Sequence, residues 1–165
     1  MTVRPVVRLP ERVLKERARE LGGARDDELV ADLVDTMRAS PACVGLAAPQ
    51  IGVARRAIVV DVTGHPKTDA CHGLIVLIDP ILVEEEGRAV GREGCMSVPD
   101  LTGNLARGTR VAVRGIAADG GVRVIEADAF EARALLHELD HLDGLLFLDR
   151  VDSLTADVFR RKRRG

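Results

Sequence analysis

Two histidines four residues apart, His137 and His141, with Glu138 beside the first, spell H-E-x-x-H. On a helix, positions i and i+4 lie one above the other on one face. Two imidazoles so placed can hold one metal ion. A neighbouring carboxylate can reach water at that ion and take its proton. This is chemistry for hydrolysing amide-like bonds, and it requires a third protein ligand. No His or Glu follows His141; only Asp143, Asp149, Asp152 and Asp157 do, and none has the usual downstream spacing. The best candidate lies upstream, in Glu93-Gly94-Cys95-Met96-Ser97-Val98-Pro99. A thiolate at Cys95 would bind zinc or ferrous iron strongly. A cysteine taken alone is more often a small buried hydrophobe, but Gly94 and Met96 place this one in a non-repetitive turn.

These residues need elements to hold them. Asp128 to Leu142 reads as a helix, with Asp128 as N-cap, Glu131 completing a capping box and Gly144 as its stop. Phe130, Ala132, Ala134, Leu135, Leu136, Leu139 and Leu142 make it apolar nearly all round, so burial is expected. Buried His137, Glu138 and His141 then need partners, which a metal supplies. A chance H-E-x-x-H on a surface helix would lack that apolar surround. Asp26 or Asp27 should cap an amphipathic helix to about Met37, with Leu29, Val30, Leu33, Val34 and Met37 inward. Residues 10–21 read as a short helix or turn.

Cys43 to Gly52 is small and apolar with one amide, Gln50, and by itself reads as a tight turn into a buried strand, Ala57 to Val62. Residues 63–73 are loop-like, with His65 and His72 exposed. Leu74 to Ile78 should be a buried strand ended by Asp79-Pro80. Ile81 to Val83 and Arg88 to Val90 could pair around a solvated Glu84-Glu85-Glu86-Gly87 turn. After a loop through Gly103 and Arg107, Arg110 to Ile116 and Val122 to Ala127 alternate and flank Asp119-Gly120-Gly121, a strong hairpin signal. Asp157 to Arg164 should close the chain as a short helix with a basic end.

Composition narrows the function classes. The 165 residues suit one domain, 1–165, with a real core, and 46% are hydrophobic. Aromatics are 2%, with no Trp or Tyr, which argues against stacking on bases. A net charge of −2 gives no pull toward DNA or an acidic membrane. No apolar run has spanning length, and Met1 to Pro10 lacks a signal-peptide core, so a cytoplasmic protein is expected. Three cysteines, Cys43, Cys71 and Cys95, make a disulfide framework an unlikely reading.

Three segments together resemble the peptide deformylase family. Cys43 to Gly52 is similar to its G-x-G-L-A-A-P-Q-I-G stretch, Glu93 to Ser97 to its E-G-C-L-S, and His137 to His141 to its H-E-x-D-H. Order and spacing agree, from about Leu9 to about Asp152. The resemblance implies an α+β fold, with antiparallel or mixed β-sheets packed around a central metal-binding helix. It implies a metallohydrolase that removes the N-formyl group from the formylmethionine of newly made polypeptides and releases formate. Cys95, His137 and His141 would hold the metal, iron(II) in the cell, with zinc or another divalent transition metal acceptable in the purified protein. Glu138 would be general base and then acid, and Gln50 and the Met96 backbone N–H would bind the oxyanion. Val44, Gly45 and Leu46 would meet the substrate. Glu93 and Arg107 invite an ion pair that fixes the Cys95 turn.

The chain departs from the family pattern at Cys43, where Gly is usual, at Leu136, where Gln is usual, and at Asp79, where Asn is usual. Cys43 should tighten the entrance. Leu136 should lose a hydrogen bond near the metal, a kind of loss that weakens metal binding or activity roughly tenfold or more. These two carry the alternative reading, an inactive or weakly active deformylase-like protein that binds formylated peptides. A general H-E-x-x-H peptidase is a further alternative, opposed by the missing downstream ligand. The run Arg160-Arg161-Lys162-Arg163-Arg164 in the 160–165 tail is either a solvated end or a dock for ribosomal RNA near nascent peptides.

Overall fold

Strand Ala57–Val60 (β2) is apolar at every position because it is covered on both faces. Alternate residues point to opposite sides of a sheet. Ala57 and Val59 therefore face helix Asp27–Ala39 (α1), while Ile58 and Val60 face helix Ala129–Leu142 (α2). The neighbouring strand Ile75–Glu86 (β3) repeats the division, with Val76 and Ile78 toward α1 and Ile75 and Leu77 toward α2. The computed structural model describes residues 2–68 and 70–161.

The larger sheet adds Gly45–Ala47 (β1), Arg110–Ile116 (β6) and Val122–Asp128 (β7), in the antiparallel order β1-β2-β3-β6-β7. A second sheet joins Ala89–Cys95 (β4), Val98–Arg107 (β5) and Val158–Arg160 (β8) in the order β4-β5-β8. The fold is α+β, with the two sheets about the buried α2, as the resemblance implies. In α1, Asp26 caps the helix by accepting from the Leu29 N–H at 3.0 Å. The buried Asp32 and Thr36 tie down the N-terminal arm, accepting from the backbone N–H groups of Thr2 and Arg4.

The structure corrects five expectations about strands, helices and caps. First, β3 does not stop at Asp79-Pro80. Asp79 adopts φ 50° in a register shift between Ile78 and Ile81, where a proline's missing N–H costs no ladder bond. Its carboxylate accepts from the Leu21 and Gly22 N–H groups at 2.8 and 2.9 Å. Second, residues 81–83 do not pair with 88–90. β3 pairs with β6, which offers Val111 and Val113 to the α2 core, and the chain swings to the other sheet at Gly87, φ +73°. Third, residues 98–107 form a strand, not a loop. Gly103 suits that strand because a Cβ there would meet the Phe147 ring at 3.1 Å. Fourth, residues 158–160 pair with β5 rather than starting a helix, and Arg92 stacks 4.1 Å over Phe159. Residues 162–165, with Lys162, Arg163 and Arg164 of the basic run, lie outside the described residues. Fifth, Asp128 makes no side-chain cap on α2, and Glu131 instead accepts from the His72 N–H at 2.9 Å and meets His72 Nδ1 at 2.6 Å.

Candidate metal centre

Helix α2 presents His137, Glu138 and His141 along one buried face, and the tight turn that joins β4 to β5 delivers Cys95 to it. Cys95 Sγ lies 3.4 Å from His141 Nε2, and the donor atoms of Cys95, His137 and His141 are all within 4.8 Å of one another. A soft sulfur with two imidazoles is a donor set for zinc or ferrous iron. One buried atom beside it, Glu138 Oε1, has no hydrogen-bond partner among the described residues. Buried polar groups are normally partnered. A cation held by the three donors, with water beside Glu138, fits this site.

The electrostatics separate the neighbouring groups. Burial opposes a charge on His137, yet the Cys95 sulfur and Glu93 outweigh it and hold the ring well above its ordinary value. Burial, aided by His137, pushes His141 well below its own. Burial also pushes the Glu138 carboxyl up to about 7. A group near 7 can both accept and return a proton at neutral pH.

Glu93 orients the first ring. Its Oε1 meets His137 Nδ1 at 2.7 Å, which leaves Nε2 to face the donor cluster. Arg107 grips Glu93 through Nε at 2.7 Å and Nη2 at 2.9 Å, so the sequence's ion pair is present and bidentate. Arg133 adds a third contact to Glu93 at 2.7 Å. Burial would raise the Glu93 carboxyl, but Arg107 and His137 hold it far below the usual carboxylate range. Arg107 Nη1 also reaches Asp140 at 2.7 Å, and Asp140 binds Arg150 at 2.8 Å. Asp140, Arg133 and Arg150 escaped the sequence reading. Asp140 lies inside the motif, and its acid between two histidines is a signal for a buried cationic partner. Leu136 packs in the α2 cluster and supplies no hydrogen bond, so His137 relies on Glu93.

Gln50 lies in the 3-10 turn Ala48–Ile51, directly after β1. Its Oε1 accepts from the Ala47 N–H at 3.1 Å, which orients the amide. The Nε2 then points at Ser97 Oγ, 3.2 Å, and Cys95 Sγ, 3.5 Å. Ser97 is a further contact the sequence did not single out. Met96 stands in the Cys95 turn and lines a cavity of about 450 Å³ together with Val44, Gly45, Gln50, Cys95 and Glu138. Leu46 does not line it: its side chain is buried in the α1 cluster.

β1 is the edge of its sheet. Val44 O accepts from the Asp61 N–H, so Gly45, opposite Val60, turns its own N–H and C=O away from β2 and toward the open edge. Cys43 sits at this mouth as expected. Burial pushes its thiol up to about 11, and it donates to Gly45 O at 3.1 Å. His65 and His72 are outside the donor cluster. His65 is half-buried, stacked on Phe130 at 4.1 Å, rather than exposed.

The family model for polypeptide deformylase matches residues 3–157. A peptide deformylase of Thermodesulfovibrio yellowstonii is 39% identical over 164 residues, covering 98% of this chain and 97% of the relative. One of Desulforudis audaxviator is 42% identical, covering 98% and 99%. The crystal structure of peptide deformylase from Ehrlichia chaffeensis superposes with a TM-score of 0.85 at 31% identity, covering 93% of this chain and 90% of the other. A class I type b peptide deformylase from Acinetobacter baumannii, solved with Met-Ala-Ser bound, gives 0.83 at 30% identity, covering 91% and 99%.

Proposed function

The chain belongs to the polypeptide deformylase family, and from that membership we propose which of its residues carry the reaction. It is a hydrolase that removes the N-formyl group from new polypeptides, releasing formate and a free N-terminal amine. Cys95, His137 and His141 hold a divalent metal, with iron(II) in the cell and zinc as a substitute. Such an ion supplies Lewis acidity at the formyl carbonyl and acidifies water there.

The remaining steps belong to the chain's own groups. Glu138 takes a proton from water as the formyl carbon is attacked. It gives that proton to the departing amine when the C–N bond breaks. Gln50 Nε2, oriented because Gln50 Oε1 accepts from the Ala47 N–H, and the Met96 N–H receive the developing oxyanion. The outward N–H and C=O of Gly45 add the substrate backbone to the sheet edge, flanked by Val44 and Leu46. Only hydrogen lies beyond the formyl carbonyl, so a tight pocket excludes acetyl and larger groups.

The observation that carries this reading is the convergence of Cys95 Sγ on His141 Nε2 at 3.4 Å, with Glu138 buried alongside. The test is anaerobic purification, elemental analysis and formate release from formyl-Met-Ala-Ser. One metal per chain with catalytic formate supports it. Tight peptide and metal binding without formate would instead return the binding-protein alternative.

Gly45→Ala is expected to lower kcat about 10²-fold while the protein stays folded, the scale of a 1 Å misplacement of a catalytic group. A Cβ there would lie 2.7 Å from Glu138 Oε2 and 3.0 Å from its Cγ, and the carboxylate must give way. Steady-state formate release beside circular dichroism checks this.

We also propose that the chain works as one cytoplasmic domain, and that the run from Arg160 to Arg164 docks on ribosomal RNA. Deleting residues 162–165 leaves β8 intact. It is expected to reduce ribosome co-sedimentation, most clearly at low salt, because phosphate contacts weaken as salt rises.

A further inference from the structure

We propose that the mouth of the active-site cavity selects polypeptides with acidic residues directly after the formylmethionine, through Lys67, Arg92 and Arg161. This rests on the deformylase reading and extends it to substrate choice.

The cavity wall carries four cationic side chains, Lys67, Arg92, Arg133 and Arg161, and two carboxylates, Glu93 and Glu138. Arg133 is committed to Glu93, and Glu93 is further held by Arg107 and His137. The other three cations are exposed and form no ion pair among the described residues. Neutral groups neighbour them. Arg92 donates to Asn104 Oδ1 at 2.7 Å and stacks on Phe159. Strand β8 places Arg161, whose N–H binds Asp100 O at 2.8 Å, and its guanidinium lies where a Cβ on Gly94 would be. Lys67 Nζ stands 5.9 Å from the Phe130 ring centroid.

Arg161 thus lies against the residue before Cys95, and Arg92 lies three residues before it, on one wall. Lys67, beside Phe130, also shares a neighbouring cavity with Arg92. An extended peptide advances about 3.3 Å per residue. With the formyl group at the metal and Gly45 pairing the backbone, the second to fourth residues leave through the cavity that these cations line. Two or three carboxylates there meet uncompensated positive charge, and lysines meet repulsion. Each exposed pair is weak, so the preference is a summed effect that salt screens.

The test compares kcat/KM for formyl-Met-Glu-Glu-Ala and formyl-Met-Lys-Lys-Ala. The acidic peptide is expected to be preferred about tenfold at low salt, falling below about twofold near 0.5 M salt. The ratio should approach one in a Lys67→Gln, Arg92→Gln, Arg161→Gln variant and persist when both arginines become lysine. Equal turnover in the wild type overturns the proposal, and so does a preference that survives the glutamine variant. If that variant loses ribosome co-sedimentation with its peptide ratio unchanged, the rim serves RNA and the proposal fails. Absence of formate from both peptides overturns the deformylase reading itself. Titration with labelled Met-Glu-Glu-Ala and Met-Lys-Lys-Ala then decides the rim alone: tighter binding of the acidic peptide supports it, and equal binding refutes it.

Discussion

Glu138→Gln is expected to cut formate release by about 10³-fold, within the 10²–10⁴ range of general acid–base catalysis, while metal content stays at one per chain. Glutamine keeps the size of the side chain and can still orient water. It cannot accept a proton or return one. The site concentrates that task on Glu138, which is 4% exposed and has an oxygen without a partner among the described residues. Of the other nearby carboxylates, Glu93 is held deprotonated by Arg107 and turned to the outer nitrogen of His137, and Asp140 is held by Arg107 and Arg150. Stability should not fall, since glutamine removes a charge that burial disfavours. The pH profile gives a second check. Protonated Glu138 is no base, so the wild-type rate should fall as pH drops through its value. That value is about 7 with no cation beside it, and a bound cation shifts the acid limb lower. The limb should vanish in the variant. Single-turnover formate release and elemental analysis decide the matter, and a rate within tenfold of wild type would mean that another group takes the proton.

Helix α2 was readable because its evidence is local. His137 and His141 sit four apart, and the leucines around them announce burial in the same window. Cys95 was readable through ligand chemistry and the segment it sits in, although 42 to 46 residues separate it from the imidazoles. Long-range compensation was not readable. Asp79-Pro80 looks like the end of a strand. The strand continues because Asp79's carboxylate meets the Leu21 and Gly22 N–H groups, 58 and 57 residues away. Residues 158–160 carry no decisive period. They become a strand because β5 has an open edge and Arg92 offers its guanidinium to Phe159. Glu131 has the spacing of a capping residue, and the His72 loop claims it instead. The same limit hid Asp140. An acid within a metal motif can face solvent, metal or cation, and only packing chose Arg107 and Arg150.

Arg107→Met is expected to lower folding stability by about 3 kcal/mol, the lower end of the 3–5 kcal/mol seen when one partner of a buried ion pair is removed. The side chain is 5% exposed and touches Glu93 twice and Asp140 once. Its loss leaves two buried carboxylates short of charge. The lower end applies because each keeps a cation: Arg133 stays on Glu93 and Arg150 on Asp140. For a chain of this size the melting temperature should fall by roughly 6–12 °C. Packing loss alone would be smaller, since methionine retains much of the arginine stem's apolar contact. Adding Glu93→Gln distinguishes the two causes. If uncompensated charge dominates, the double variant should be about 1 kcal/mol or more above the sum of the single losses, because the second change removes a charge the first left unpaired. Metal affinity should fall by about 10–100-fold in the single variant, since Glu93, left with Arg133 alone, would be held less firmly against His137 Nδ1. Denaturant melts and metal titration measure both quantities. A variant as stable as wild type that binds metal normally would show that His137 is positioned by the α2 packing alone, and that Glu93 and Arg107 are passengers in the core.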